Sequence, residues 1–595
     1  MSDYFAPLND IEFILNHVAG LDSILKLDSY GDLDNELVSA ILDESSKFTS
    51  EVLAPLNRVG DEHGSICEDG EVTTPPGWKE AYHQFIENGW NGLAFDPAHG
   101  GQGLPWLVAT AVQEMWHSAN MSFGLCPLLT QGAIRALELH GSDEQRAIYL
   151  ERLVTGVWAG TMNLTEAHAG SDLAVIRTRA VAEGDHYRLI GQKIFITYGE
   201  HDLTENIIHF VLGRCTDSPD GVKGISLFIV PKFLVNDDGS IGERNDLRCV
   251  SLEHKLGIHA SPTAVMSYGD NEGAIGYLIG EKNKGLEYMF TMMNLARHAV
   301  GVEGLAIAER AYQQARDYAG QRVQGSAAGG SRERVPIIRH PDVRRMLLTM
   351  KSLVQAMRCL AYYTSAVFDL SQTHPDADSR SEYAADLGLL IPLVKGWCAE
   401  MGNEVAYLGV QVHGGMGFIE ETGAAQYSRD ARITPIYEGT TGIQANDLIG
   451  RKVLRDEKGH VLRFMTKIQD SLNVLSTQGD SVAKICQATE TGLESLRSVT
   501  DWVVESGAKD ASLPAAASVG YLHVFSLTVA GWLMAIYAAE ASELLNSGDE
   551  DQDVLSARLL TAEFFATHIM PRLRAHAEGI VNSSACVMAL SEDQI

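Results

Sequence analysis

The spacing of hydrophobic positions changes period twice along the chain. From about residue 35 to 160 apolar residues recur at helical spacing, as in "ELVSAILDESSKFTSEVLAPL" and "SDEQRAIYLERLV", where Ser142 offers an N-cap. Between them, "GLAFDPAHGGQGLP" (Gly92 to Pro105) reads as a turn-rich connection. From about 161 to 280 the pattern shortens to β-branched and aromatic runs, "HYRLIGQKIFITY", "IIHFVLGRC" and "GISLFIVPK", bounded by Gly, Asp, Asn and Pro. These are strands and turns. The helical period returns at about 283 and persists to the end. "KGLEYMFTMMNLARHAVGVEGLAIAERAYQQARDYAGQR" reads as one long helix, or two with a break near Gly301 or Gly304. "VQGSAAGGSRERVPIIRH" (Val323 to His340) reads as a flexible insert, and "STQGD", "SGAKDASLP" and "NSGDEDQD" punctuate a last helical block.

The pattern predicts a mainly α protein with a central small β-domain. Its parts are an N-terminal helical domain at 1–160, the β-domain at 161–280, a helical domain at 281–455 with the insert 323–340, and a further helical domain at 456–595. At 595 residues the chain exceeds the ~250–300 at which a single core stops growing, in keeping with several domains. No run approaches the ~18–20 apolar residues of a membrane span, so none is expected. The start "MSDYFAPLNDIEF" has no basic n-region or Arg-rich presequence. The 8 cysteines are dispersed without a CxxC pair, so neither a metal cluster nor a disulfide frame is expected. A reducing, cytoplasmic setting fits.

The formal charge of −32 disfavours broad binding to nucleic acid or anionic membranes, which needs clustered cations. A phosphate-bearing ligand must then be met by local arginines. Arg322, Arg332, Arg334, Arg339, Arg344 and Arg345 fall close together against only Glu333 and Asp342, a candidate surface of that kind or simply a solvated one. Arg297 follows Met289 and Met293 at helical steps on an apolar stripe, which suits an inter-helix ion pair or a cation facing an anionic ligand.

No GxxxxGK[ST], HExxH or GxSxG motif stands out. "HGGMGF" (His413 to Phe418) is glycine-rich but follows no strand. In "MNLTEAHAGSDL" (Met162 to Leu173), Thr165, Ser171 and the turn at Ala169-Gly170 offer hydroxyls and backbone N–H groups, for a phosphate, a polar ring edge, or the turn itself. Phe195 and Thr197 of "KIFITYGE" share a strand face, where a flat ring could stack and hydrogen-bond. "RITPIYEGTTGIQ" (Arg432 to Gln444) sets one acid, Glu438, among apolar residues, glycines and small hydroxyls. Such an acid either caps its loop or is kept from water for chemistry.

In their order and spacing, "LTEAHAGSD", "KIFITYG", "NLARHAVGVEGLA", "QVHGGMGF" and "RDARITPIYEGTTGIQ" resemble the acyl-CoA dehydrogenase family over about residues 40 to 450. The long form is similar to the bacterial group that includes 3-methylmercaptopropionyl-CoA dehydrogenases. The resemblance implies an N-terminal helical domain, a β-domain and a four-helix bundle, with FAD between the last two and an added C-terminal helical domain. By motif, Leu164 and Thr165 would meet the flavin pyrimidine edge, Phe195 and Thr197 would flank its ring, and Ser171 would lie near the pyrophosphate and the CoA arm. Arg322, the Gln411–Gly415 stretch and Thr440 would complete the FAD site of a partner subunit, implying a homodimer. Asn294 and Arg297 would line the CoA channel.

Glu438 matches the family's catalytic base, with Gly439 beside it at the substrate, and the alternative base position before Arg297 is filled by Ala296. The implied reaction is α,β-dehydrogenation of an acyl-CoA to the trans-2-enoyl-CoA. A straight-chain fatty acyl-CoA is the first expectation and 3-methylthiopropanoyl-CoA the second, with electron-transfer flavoprotein as acceptor or, as in related oxidases, oxygen. Ala167-His168, Gly325 and Gly442 depart from the family's usual residues at flavin-contacting positions. The rival class is a DNA-associated flavoprotein of the same fold, which would need a basic face in the last 140 or so residues; "LESLRSVTDWVVESGAKDASLP" is mixed or acidic. The expected result of a salt-titrated DNA-binding assay is no tight binding, and strong salt-dependent binding would overturn the enzyme reading.

Overall fold

The computed structural model describes residues 4–595 apart from 32, 237, 331, 457, 549 and 550. Residue 331 of the expected insert and residues 549 and 550 of the last punctuating stretch thus lie outside the described residues. The chain forms two compact units, one of Lys47–Leu104 and Ala119–Ala296, the other of Met1–Ser46, Pro105–Ser118 and Arg297–Ile595.

The first unit joins helices to a sheet. Its helix Asp143–Val154 opens on a reciprocal cap: the Gln145 N–H donates to Ser142 Oγ at 3.1 Å, and the Ser142 N–H donates to Gln145 Oε1 at 3.0 Å. The 8-stranded sheet runs Leu247–Leu252, Thr263–Tyr268, His186–Thr197, Ala274–Leu278, Ile225–Pro231, Asn206–Cys215, Trp158–Asn163, with Arg179–Glu183 paired to both His186–Thr197 and Asn206–Cys215. Pairing is antiparallel except where Asn206–Cys215 meets Trp158–Asn163 and Arg179–Glu183. Trp158–Asn163 is buried at every position, as a strand covered on both faces must be. Leu189, Phe228, Val230, Ala264 and Met266 anchor the core of this β layer.

The second unit is helical. Helix Gly285–Gln321 enters it and runs 37 residues without the break expected at Gly301 or Gly304. Those glycines serve close packing instead. A Cβ on Gly301 would stand 2.4 Å from Val394 Cγ1, and one on Gly304 would stand 2.4 Å from the Cys398 carbonyl oxygen. Gly402 closes on Gly304 in turn, its ideal Cβ 2.5 Å from the Gly304 carbonyl oxygen. The facing segment, Val394–Cys398, is a π-turn that follows Pro392 near the end of helix Ala377–Leu393. A proline inside a helix has no N–H to continue the ladder, and a π-turn is one way to absorb the defect.

One expectation is corrected here, and so is the ground given for another. The stretch 323–340 is not simply a flexible insert: Val323–Ser326 pairs antiparallel with Arg334–Pro336, and the Ile337 N–H donates to the Arg322 carbonyl at 2.8 Å. Left-handed Gly325 and Gly329 let so short a hairpin form. One helix, Ser512–Ser547, is also long and apolar enough to cross a membrane, with mean hydropathy 1.6 over its best window. Of that window 78% is buried inside the fold, against helices such as Asp480–Gly507, where Tyr521 and Thr500 share a 2.9 Å hydroxyl hydrogen bond. Apolarity all round is what a central core helix requires.

One fully buried cation ties this unit together. Arg358 Nη2 donates to Glu114 Oε1 at 2.6 Å and to Glu309 Oε2 at 2.7 Å, and the Tyr362 hydroxyl donates to Glu114 Oε2 at 2.6 Å. Arg358→Ala leaves two carboxylates buried without their cation. It is expected to lower stability by about 3–5 kcal/mol, read from the denaturant midpoint of unfolding; a loss under ~1 kcal/mol would refute the clamp.

Candidate active site

In the first unit, the chain leaves the buried strand Trp158–Asn163 at Leu164 and turns back through Ser171. The turn is held from below. Lys193 Nζ donates to the Leu164 carbonyl at 2.9 Å and to Glu166 Oε1 at 2.9 Å, and the Ile194 N–H donates to the Thr165 carbonyl at 2.9 Å. Glu166 also accepts from the Arg177 N–H at 2.7 Å and from the Thr178 N–H and hydroxyl at 3.0 and 2.6 Å. Burial pushes the Glu166 carboxyl up, but Lys193 and these donors outweigh it and hold it below the ordinary range. Burial lowers Lys193 to about 8 against the pull of Glu166.

Just above, strand His186–Thr197 bulges against Thr263–Tyr268: Lys193 faces Met266 and Ile196 faces Ala264, so three steps on one strand match two on the other. Within the bulge Phe195 takes a left-handed φ of 59° and is 59% exposed. Thr197 is half-buried, with Ile196 buried between the two. The hydroxyls of Thr165 and Thr197 make no hydrogen bond among the described residues. An exposed ring, free hydroxyls and a braced turn fit the edge and face of a flat heteroaromatic group. Leu164 is half-buried; Ser171 and Asn294 are exposed.

In the second unit, the loop after Ala431 doubles back before helix Thr441–Asp447, which Thr440 caps by accepting from the Ile443 N–H at 3.3 Å. Glu438 and Gly439 sit at its apex with φ of 57° and 89°. A left-handed glutamate is strained, and strain of this kind gathers at functional sites. The Glu438 carbonyl accepts from Gln444 Nε2 at 3.1 Å. The Glu438 carboxylate, by contrast, accepts no hydrogen bond among the described residues, and the N–H groups of Glu438 and Gly439 make no backbone hydrogen bond. This side chain caps nothing.

Glu438 is itself half-buried, and the charged groups around it, Arg297, Lys395 and Glu303, are buried. Burial raises the Glu438 carboxyl, and Arg297 and Lys395 pull it back. Arg297 is buried; burial lowers its pKa, while Asp447 and Glu438 oppose that. Next to the loop, Tyr437 donates its hydroxyl to Glu303 Oε2. Burial pushes Glu303 up to about 8, with the Tyr437 hydroxyl resisting and Glu438 adding to the rise. Ala296 is buried and has nothing to contribute as a base.

Arg322, Gln411 and Gly415 are exposed. The structure brings their neighbourhoods together through Tyr318 and His413, whose rings stack at 4.4 Å. The side chains of Arg322 and Gln411 have no hydrogen bond within the chain among the described residues. Of the arginine group, Arg345 pairs with Asp342 at 2.8 Å, an ordinary surface contact. Sequence reasoning did not single out Lys193, Glu166, Glu303 or Lys395. For Glu303 and Lys395 the signal was present, since each is a lone charge in apolar company, "AVGVEGLAIA" and "LLIPLVKGWC".

Models of four domain families match the chain. They are "Acyl-CoA dehydrogenase, N-terminal domain" over residues 35–157, "Acyl-CoA dehydrogenase, middle domain" over 161–270, "Acyl-CoA dehydrogenase, C-terminal domain" over 283–454 and "Acetyl-CoA dehydrogenase C-terminal like" over 464–591. Over 99% of this chain and 100% of the relative, it is 48% identical to 3-methylmercaptopropionyl-CoA dehydrogenase of Ruegeria pomeroyi. It is 32% identical over the full length of both chains to a broad-specificity linear acyl-CoA dehydrogenase of Mycobacterium tuberculosis. Among solved structures, a Bacillus anthracis acyl-CoA dehydrogenase complexed with FAD has the same fold, with TM-score 0.71, 21% identity and coverage of 98% and 93%.

The brace beneath the 164–171 turn has a local consequence. Glu166→Ala is expected to speed amide hydrogen exchange across residues 164–171 by about tenfold or more, leaving the sheet core protected. Because the folded Glu166 carboxyl lies below its ordinary value, wild-type protection is full at neutral pH and fades as the pH falls through the folded value. Unchanged exchange in the variant would show that Lys193 alone suffices.

Proposed function

The chain belongs to the acyl-CoA dehydrogenase family, and from that premise we propose that Glu438 is the base that takes the α-proton of an acyl-CoA thioester. The enzyme class is oxidoreductase acting on CH–CH of acyl-CoA, with FAD as cofactor. The observation that carries the assignment of the base is a carboxylate with no hydrogen bond, on a strained residue whose own N–H is also unused. A thioester carbonyl oxygen accepting from the Glu438 N–H would have its developing negative charge stabilised by that donor. The carboxylate on the same residue would then take the α-proton. Bound FAD supplies the two-electron acceptor for the β-hydrogen.

Burial strengthens the carboxylate as a base by raising its pKa, while Arg297 and Lys395 keep it from rising so far that it stays protonated. Arg297 and Asn294 would meet the CoA portion, with Gly439 beside the thioester. Leu164, Thr165, Ser171, Phe195 and Thr197 would hold the flavin in this reading, supported by the free hydroxyls and exposed ring described above. Arg322, Gln411 and Gly415 would reach the FAD of a second copy, making a homodimer; their exposure, and the absence of hydrogen bonds from the Arg322 and Gln411 side chains among the described residues, support this. Thr440 is included by motif, although its hydroxyl already caps a helix. The four-part division at 160, 280 and 455 is part of the same reading, supported by the spans of the family matches. So are electron-transfer flavoprotein as acceptor and a cytoplasmic setting.

For the substrate, the 48% full-length identity to a 3-methylmercaptopropionyl-CoA dehydrogenase supports putting the second expectation first. It favours 3-methylmercaptopropionyl-CoA over straight-chain fatty acyl-CoA, which the more distant linear-chain relative keeps as the second reading.

Anaerobic mixing of the FAD-loaded enzyme with 3-methylmercaptopropionyl-, butyryl- and octanoyl-CoA should bleach the flavin, fastest with the first. Glu438→Gln is expected to slow bleaching by about 10²–10⁴-fold. Bleaching at the wild-type rate in that variant would remove Glu438 as the base, and a preference for octanoyl-CoA would restore the straight-chain reading.

A further inference from the structure

Beside Glu438 lies a buried lysine whose charge the proposed reaction has so far used only as background. Lys395 sits inside the π-turn Val394–Cys398 and has no solvent exposure. Among the described residues its Nζ has no hydrogen-bond partner, and neither has Glu303 Oε1 across the cluster. Lysine is among the residues least often buried, and an ammonium denied both water and hydrogen bonds is destabilising unless a nearby charge compensates. π-turns recur at functional sites because they aim one side chain out of the helical register. Here the glycine contacts at Gly301 and Gly304 press helix Gly285–Gln321 onto that turn, bringing Glu303 and Lys395 into one apolar layer.

The charges that face this layer come from each packed element. Lys395 feels Glu438, Glu303, Arg297 and, more weakly, Glu400. Glu303 feels Tyr437, Glu438 and Lys395. The remaining groups are engaged elsewhere: Glu400 accepts from the Thr441 hydroxyl at 2.6 Å, and Asp447 pairs with Arg451 at 3.1 Å. Lys395 Nζ and Glu303 Oε1 are therefore left without a hydrogen-bond partner beside the proposed base among the described residues.

We propose that Lys395 and Glu303 are positioning residues that set the charge of Glu438, the buried lysine lending it positive charge and Glu303 standing behind Tyr437. The inference rests on Glu438 being the base. At neutral pH the ammonium lowers the cost of ionising Glu438 in a dry site, and a neutral Glu303 adds no opposing charge. The directions agree with burial, which holds Glu303 up at about 8 and Lys395 down at about 8. Above that pH the lysine loses its proton and Glu303 gains a charge, so both changes act against an ionised Glu438. The three groups titrate as a coupled set.

The test is the pH profile of anaerobic flavin bleaching with butyryl-CoA, together with infrared titration of the protonated-carboxyl band in apoprotein, assigned by its loss in Glu438→Gln. Lys395→Met is expected to move the acid limb of the profile and the Glu438 band upward by about one pH unit, a roughly tenfold loss of rate on that limb that recovers as the pH rises. Lys395→Arg should keep the limb where wild type has it. Glu303→Gln should leave the limb in place or lower it. A purely structural lysine would instead scale the rate at every pH and leave the limb unmoved, overturning the proposal. So would an upward shift in Glu303→Gln, which also serves if Lys395→Met does not fold. Undiminished bleaching in Glu438→Gln would instead remove the base assignment, a different failure.

Discussion

The contact on which the site depends is backbone against backbone, where Gly301 and Gly304 of one long helix meet the π-turn Val394–Cys398. Neither glycine has room for a methyl group, and Gly402 extends the contact by closing on Gly304. Close approach of this kind fixes what lies next to it. Glu303 adjoins Gly304, Lys395 lies within the turn, and Arg297 sits one helical turn before Gly301. The chain thus places two cations and an acid around the Glu438 loop without using flexible side chains to span a gap.

The chain is strongly acidic, yet its buried charges are balanced locally. Arg358 is shared between Glu114 and Glu309, and Lys193 is matched to Glu166. Both arrangements satisfy the charges with hydrogen bonds, which is how ions are tolerated in a core. The Glu438 cluster follows a different rule. Its charges influence one another across a largely buried cluster, while the Glu438 carboxylate and Lys395 Nζ have no hydrogen bonds among the described residues. Saturated groups serve stability; unsaturated ones are available to a substrate.

The unbonded carboxylate also separates the two roles open to an acid in "RITPIYEGTTGIQ". Thr440 performs the capping at the start of helix Thr441–Asp447, so Glu438 is not needed for it. Its left-handed backbone keeps its N–H and carboxylate unengaged, an arrangement suited to polarising a carbonyl and removing the neighbouring proton with one residue.

Periodicity along the chain was enough for the alternation of helical and β segments and for the Ser142 cap, because these depend on neighbours a few residues away. The ordered motifs were enough for the family and for Glu438 as a candidate. The same criterion, a lone charge in apolar company, applied to Glu303 and Lys395 but had no partner to point to, since the two are 92 positions apart. Gly301 and Gly304 read as breakers because a glycine's cost to a helix is local, whereas its value here lies in the surface it lets approach. The hairpin at 323–336 and the burial of helix Ser512–Ser547 likewise depend on pairing and packing that composition does not encode. Sequence by itself determined which residues could do chemistry; only the tertiary structure decided which of them share a dry layer, because desolvation and charge coupling are properties of neighbours in space.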